Sequence, residues 1–172
     1  PVNHVVFAAR PQAVNTVDWL TTQIKPGTNV QLIAFTDHAI TLTPNTEGKW
    51  ITLTDGSELD LAMTTLRGMV PKGPTSLHYA FTAARMLEPK PDNIYLITDG
   101  LPTMGEIVPA RQGATGRERL EHFNRAVRQL PVGSPVNVIL LPMEGDPAAA
   151  PAFWVLALRT GGSMLAPSED WP

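Results

Sequence analysis

Apolar residues in this chain fall into short continuous runs separated by stripes at helical spacing. Residues 30–35 (VQLIAF), 94–98 (IYLIT) and 136–141 (VNVILL) are apolar at nearly every position, the signature of strands covered on both faces. Asp37-His38 makes a turn after the first of these, so residues 39–42 are expected to fold back antiparallel as an edge strand. Between the runs, Leu59, Ala62, Met63, Leu66 and Met69 share one helical face after a candidate N-cap at Ser57. Residues 76–87 (SLHYAFTAARML) repeat that pattern until Pro89 and Pro91 stop it, and residues 117–130 and 148–159 predict two more helices. A short last strand, residues 163–166, follows Gly161-Gly162. Strands alternating with helices predict an α/β fold: an open, mostly parallel, Rossmann-like doubly wound sheet with helices on both faces and an antiparallel edge strand.

The amino-terminal stretch reads in two ways. Val2, Val6, Ala9, Ala13, Val17, Leu20 and Ile24 lie on one helical stripe, which favours a long first helix bent at Pro11. The alternative is a degenerate first strand at residues 4–9 (HVVFAA). On the favoured reading the first strand lies upstream of Pro1, and something must fill its place, because a parallel sheet without its central strand strands backbone groups at about 1–3 kcal/mol each.

Composition narrows the function classes. With 43% hydrophobic content, 172 residues are enough for a single domain spanning 1–172. A net charge of −3 from 13 basic and 16 acidic residues offers no footprint for nucleic acid or anionic lipid. There is no cysteine and no apolar run near the roughly 20 residues that span a bilayer, so this segment itself is not expected to insert in a membrane. His4, His38, His78 and His122 include no i, i+4 pair that would suit zinc, and His78 reads as a packing residue. Trp19, Trp50 and Trp154 fall on or beside apolar stripes and are expected in the core, which leaves Trp171 in the tail as a contact residue. The arginines from Arg111 to Arg128 are interleaved with Glu118 and Glu121, as on a solvated helix face. The glycine-rich stretch at Gly161-Gly162 lacks a phosphate-loop lysine.

Ligands of such sheets bind in the crevice at the carboxyl ends of the strands. Thr75 and Asp99 both fall at that edge, and a hydroxyl with a carboxylate suits a hard cation such as Mg²⁺, Ca²⁺ or Mn²⁺. The plainer reading makes Asp99 the start of an Asp-Gly turn and Thr75 the cap of the next helix. Residues 101–116 (LPTMGEIVPARQGATG) carry two prolines and three glycines without periodicity, so they predict a long surface loop rising from the same edge.

The series VQLIAFTD, GPTSLHYAF, IYLITDGLPT and LALRTGGSM resembles, in order, the second strand, threonine loop, fourth strand and last helix of von Willebrand factor type A domains. TVDWL and the closing FWVLALRTGGSMLAPSEDWP resemble a bacterial group of these domains tethered to the envelope by an upstream hydrophobic helix. The resemblance implies a metal-ion-dependent adhesion site built from an Asp-x-Ser-x-Ser motif, a threonine and an aspartate, the last two carried over to Thr75 and Asp99. Ser76 and Gly100 are expected binding residues beside them, and the loop after Asp99, stiffened by Pro102 and Pro109, is expected to present Glu106, Arg111 and Gln112 to a partner. The resemblance implies a protein partner engaged through an acidic side chain and a bacterial periplasm or cell-envelope location. No Asp-x-Ser-x-Ser occurs in the chain, so the cation site is incomplete here and the motif, like the first strand, is expected upstream of Pro1. A non-enzymatic binding module follows, as adhesion domain or scaffold. The alternative is a Mg²⁺-dependent phosphotransferase or hydrolase using Asp99, but that chemistry needs a second carboxylate and the position two residues earlier is Ile97.

Overall fold

The computed structural model describes residues 1–9, 13–70, 73–110 and 113–168. Its elements run β1 (Asn3–Ala8), α1 (Val14–Thr22), β2 (Asn29–Phe35), β3 (Ala39–Thr41), β4 (Ile51–Thr52), a 3₁₀ turn (Ser57–Leu59), α2 (Asp60–Gly68), α3 (Leu77–Met86), β5 (Asn93–Thr98), α4 (Gly116–Val127), β6 (Val136–Leu140), α5 (Ala149–Thr160) and β7 (Met164–Leu165). The sheet order is β3-β2-β1-β5-β6-β7, with the short β4 also pairing antiparallel with β2. All pairs from β2 to β7 are parallel, and β3 is the antiparallel edge. The architecture is the mostly parallel α/β sheet that the sequence pattern predicts.

The amino-terminal helix expected from the stripe is not what forms. Residues 3–8 are a strand, and it occupies the central slot, pairing with β2 from Asn3↔Asn29 to Ala8↔Ala34 and with β5 from His4↔Asn93 to Ala8↔Ile97. Strands β2 and β5 therefore flank one central position, and the first strand is within the chain. The physical reason is two-sided burial: Val5 and Phe7 enter the core under α3, α4 and α5, while Val6 and Ala8 enter the core under α1 and α2. A strand buried on both faces is apolar at every position, so any helical register finds a stripe in it. The true helix begins only at Val14 and buries Val17 and Leu20.

Smaller corrections follow from tertiary contacts. Ser57 bonds Asp55 instead of capping α2, whose N-cap is Leu59. Trp19 and Trp154, expected in the core, are exposed. Trp171, Arg111 and Gln112 lie outside the described residues. At Gly162 a side chain could not fit, because a Cβ there would stand 2.0 Å from the Val136 carbonyl oxygen. That close approach lets α5 hand the chain to β7 against β6.

Phe7 anchors the larger core, edge-on to Phe35 at 6.4 Å and to Phe81 at 6.3 Å between ring centroids. Two histidines have a buried Nδ1 without a hydrogen-bond partner among the described residues: His4 of β1, edge-on to Tyr95, and His122 of α4. Burial pushes both below the ordinary histidine value of 6.5; the Arg125 charge adds to the effect at His122.

Phe7→Ala is expected to remove about 3–5 kcal/mol of stability, read from urea unfolding at neutral pH. Because the folded state resists protonating His4 and His122, the unfolded chain binds more protons as pH falls through 6.5, and stability declines on acidification. Unfolding midpoints between pH 7.5 and 5 should fall, with a shallower decline in His122→Gln; identical slopes would remove His122 from the account.

Candidate functional site

The carboxyl ends of β2, β1 and β5 converge on one edge, and two loops are fastened together above it. The Thr75 backbone N–H donates to Thr103 Oγ1 at 2.9 Å, while the N–H groups of Thr103 and Met104 donate to the Thr75 carbonyl at 3.0 and 3.1 Å. Next to it, the Ser76 N–H donates to the Thr36 carbonyl just beyond β2, and the buried Ser76 hydroxyl donates to the Gly105 carbonyl at 2.7 Å. Tyr79 of α3 completes the seam by donating to the Glu106 carbonyl. The threonine loop and the segment after Asp99 thus form one hydrogen-bonded platform instead of two independent loops.

Thr75 does not cap α3. The N-cap is Ser76, which makes no side-chain capping bond because its hydroxyl crosses to Gly105. Thr75 is half-buried, and its hydroxyl has no hydrogen-bond partner among the described residues. Asp99 is half-buried at the end of β5 and takes part in an interaction of its own. Gly100 is buried, Glu106 exposed. On the β2 side, Asp37 and His38 pair at 2.5 Å, and the hydrogen bond from His38 holds the Asp37 carboxyl below its usual range.

Asp99, Gly100 and Leu101 leave the sheet through a corner held by a buried ion pair. Arg119 of α4 meets Asp146 with Nη2 to Oδ2 at 2.8 Å, the side chains only 15% and 3% exposed. Both partners also hold the backbone of one residue: the Leu101 N–H donates to Asp146 at 2.7 Å, and Arg119 donates to the Leu101 carbonyl through Nη2 at 2.7 Å and Nε at 3.2 Å. Arg119 is therefore not on the solvated face expected from its neighbours Glu118 and Glu121. Gly100 sits tightly in this corner: a Cβ would stand 2.7 Å from Met143 Cε, 2.8 Å from Asp146 Oδ2 and 3.0 Å from Arg119 Nη2, so a side chain there would displace the ends of the paired side chains. Sequence spacing carried no sign of the pair, because its members come from α4 and from the β6–α5 connection.

As a cation site the edge is sparse. Mg²⁺ or Ca²⁺ takes about six to eight oxygen ligands, and Thr75 with Asp99 supplies two side chains. Strand β1 brings Ala8 and Ala9 to the position where the resemblance puts an aspartate, and residues 9–13 (ARPQA) contain neither aspartate nor serine. No group of three or more histidine, aspartate or glutamate side chains among the described residues can hold a metal. The donor set does not fit a cation held by the chain alone.

Beside Thr75 the platform borders a groove of about 420 Å³ lined by Gly73, Pro74, Thr103, Val108, Pro109, Ala110, Gly113 and Ala114. Val108 lines it and is exposed, and its chain neighbour Ile107 is 82% exposed.

Asp146→Ala is expected to cost about 3–5 kcal/mol because it leaves Arg119 buried without a counter-charge. Replacing both partners by apolar residues should cost less than Asp146→Ala alone, a comparison that chemical denaturation of the three variants supplies.

No family model and no curated protein matches the sequence, so likeness is seen in structure. A von Willebrand factor type A protein from Catenulispora acidiphila superposes with a TM-score of 0.67 at 14% identity, covering 95% of this chain and 37% of that one. The conserved hypothetical protein BatB from Bacteroides thetaiotaomicron gives 0.56 at 17% identity, covering 96% and 89%. An aerotolerance-related membrane protein from Bacteroides fragilis gives 0.56 at 16%, covering 98% and 92%. At these identities the likeness concerns the fold: this chain has the von Willebrand factor type A fold.

Proposed function

We propose that the chain is a non-enzymatic protein-binding module that contacts its partner through the carboxyl-edge platform. The observation that carries this reading is a groove already formed at that edge, lined by the exposed Val108 with the exposed Ile107 next to it in the chain, and held by the bonds from Thr75 and Ser76 to residues 103–105. Apolar side chains presented on a rigid seam bind with little ordering cost, which is how a few residues come to dominate an interface. Glu106 lies beside them as a polar rim contact. The Arg119–Asp146 pair supports the reading by fixing the path of residues 99–101 beneath the platform.

In this reading a divalent cation is not required for binding. Thr75 and Asp99 are contact residues, and a cation could join them only with ligands from water and from the partner's carboxylate. An acid–base or nucleophilic role for Asp99 draws no support from the strand beneath it, where Ile97 is fully buried. No helix among the described residues is long and apolar enough to cross a membrane. The likeness to a Bacteroides membrane protein supports a bacterial envelope or periplasmic setting, with any anchor supplied outside the described elements.

The test places a photo-crosslinking amino acid at Ile107 and, as a control, at the exposed Leu61 of α2 in the source cells. A discrete adduct from Ile107 alone is expected, formed equally with EDTA present. Ile107→Glu should weaken the purified interaction by tenfold or more at an unchanged thermal midpoint. Equal adducts at both positions, or unchanged affinity in Ile107→Glu, would remove the platform as the contact surface.

A further inference from the structure

Helix α5 is apolar on both sides. Arg159 is the one charged residue among its twelve, Ala149, Phe153, Leu156 and Ala157 face the core, and Pro151, Trp154, Val155 and Leu158 form a second stripe at i, i+3, i+4 and i+7 that is exposed. Trp154 is 54% and Leu158 61% exposed. A helix that is hydrophobic all round is ordinarily buried all round. Its neighbour α4 shows the usual contrast, carrying the solvated Arg117–Glu121 pair outward. Between the two helices runs a groove of about 460 Å³, with Phe123 at its base edge-on to Phe153 at 5.1 Å and with Leu120, Val127, Ala152 and Val155 among its walls.

The charge of the groove is one-sided. Arg159 lies at its foot, Arg128 continues the Leu120–Asn124 row of α4 by one more turn, and no carboxylate is among the lining residues. Neither arginine makes an ion pair among the described residues. The foot is the amino edge of the sheet, because Thr160 accepts a hydrogen bond from the N–H of Val136 at the start of β6. It lies at the end of the molecule opposite the platform.

We propose that this groove docks one amphipathic helix of a protein partner, antiparallel to α4 and α5, with acidic residues in its first turn beside Arg159. Three arguments select that occupant. Pro151 and Val155 of the exposed stripe line the groove together with Leu120, Val127 and Ala152, and an apolar trough between two helices is met by the apolar face of a third laid along it. The carboxyl ends of α4 and α5 carry partial negative charge, so an incoming helix is favoured with its positive amino end there, and acidic residues of that first turn then reach the arginines. A twelve-residue helix is roughly 18 Å long, and a contact of that length falls well short of the roughly 800 Å² per partner that a stable dimer buries, so a second copy is the poorer fit. A chain of net charge −3 with two arginines at the groove also lacks the cluster of about four to eight basic residues that holds a protein on anionic lipid.

The test screens a displayed library of 15-residue helices, apolar on one face and randomised in the first turn, against the 172-residue chain. Recovered peptides should carry Asp or Glu in the first turn. The best synthetic peptide should lose at least tenfold in affinity for Val155→Glu and for Leu120→Glu, and several-fold for Arg159→Glu. A peptide with lysine in place of its first-turn acid should regain affinity for Arg159→Glu. Circular dichroism melts certify that the variants are folded, and Ile107→Glu should bind the peptide normally, which separates this surface from the platform. Peptides that bind Val155→Glu as well as the parent, or a lysine exchange that restores nothing, would overturn the proposal. So would a concentration-dependent dimer abolished by Val155→Glu, which assigns the groove to a second copy, or binding to phosphatidylserine vesicles with the same dependence, which assigns it to a membrane.

Discussion

Every other element depends on β1 being hydrogen-bonded on both sides. It lies between β2 and β5 with no exposed edge, and its alternate side chains enter two different cores. A strand in that position must satisfy its backbone through its neighbours, since a buried unpaired peptide group costs about as much as a lost hydrogen bond. The pairing aligns the carboxyl ends of three strands, and the Ala9 N–H extends the ladder to the Ile97 carbonyl. The edge on which the platform rests is a consequence of that register.

Above the sheet, stiffness comes from polar groups used as fasteners. Leu101 has both its backbone N–H and its carbonyl satisfied by the Arg119–Asp146 pair, and Thr75 has both backbone groups satisfied by residues 103 and 104. Buried charge is costly unless paired and hydrogen-bonded, and here the pairing and the loop anchoring are the same contacts. A side chain at position 100 would have to push aside the ends of Met143, Asp146 and Arg119, so Gly100 leaves the ion pair its room.

The molecule presents two apolar surfaces of different origin. At the carboxyl edge, Ile107 and Val108 are held out by a loop that polar contacts fasten to α3 and to the threonine segment. On the flank, α5 exposes a stripe because its own composition leaves no polar side to turn toward water. One lies on the carboxyl edge and the other along the α4–α5 flank, and the two share no lining residue.

The sequence by itself determined the alternation of strands and helices, the antiparallel edge after Asp37-His38, the central place of residues 94–98 and the location of Thr75 and Asp99 on the carboxyl side. Those features follow from periodicity, turn residues and the rule that parallel strands carry their loops at one edge, all of which are local. Tertiary structure alone decided residues 4–9, because a strand buried on two faces and one turn of a buried helix are equally apolar and only the neighbours β2 and β5 distinguish them. It also decided Arg119, whose spacing from Glu118 and Glu121 signals a solvated pair while its partner Asp146 lies 27 positions away in another connection. Trp154 was legible as part of an apolar stripe but not as exposed, since α5 has two such stripes and the sheet can cover one. Periodicity records how apolar a face is; which face meets the core is set by elements distant in the chain.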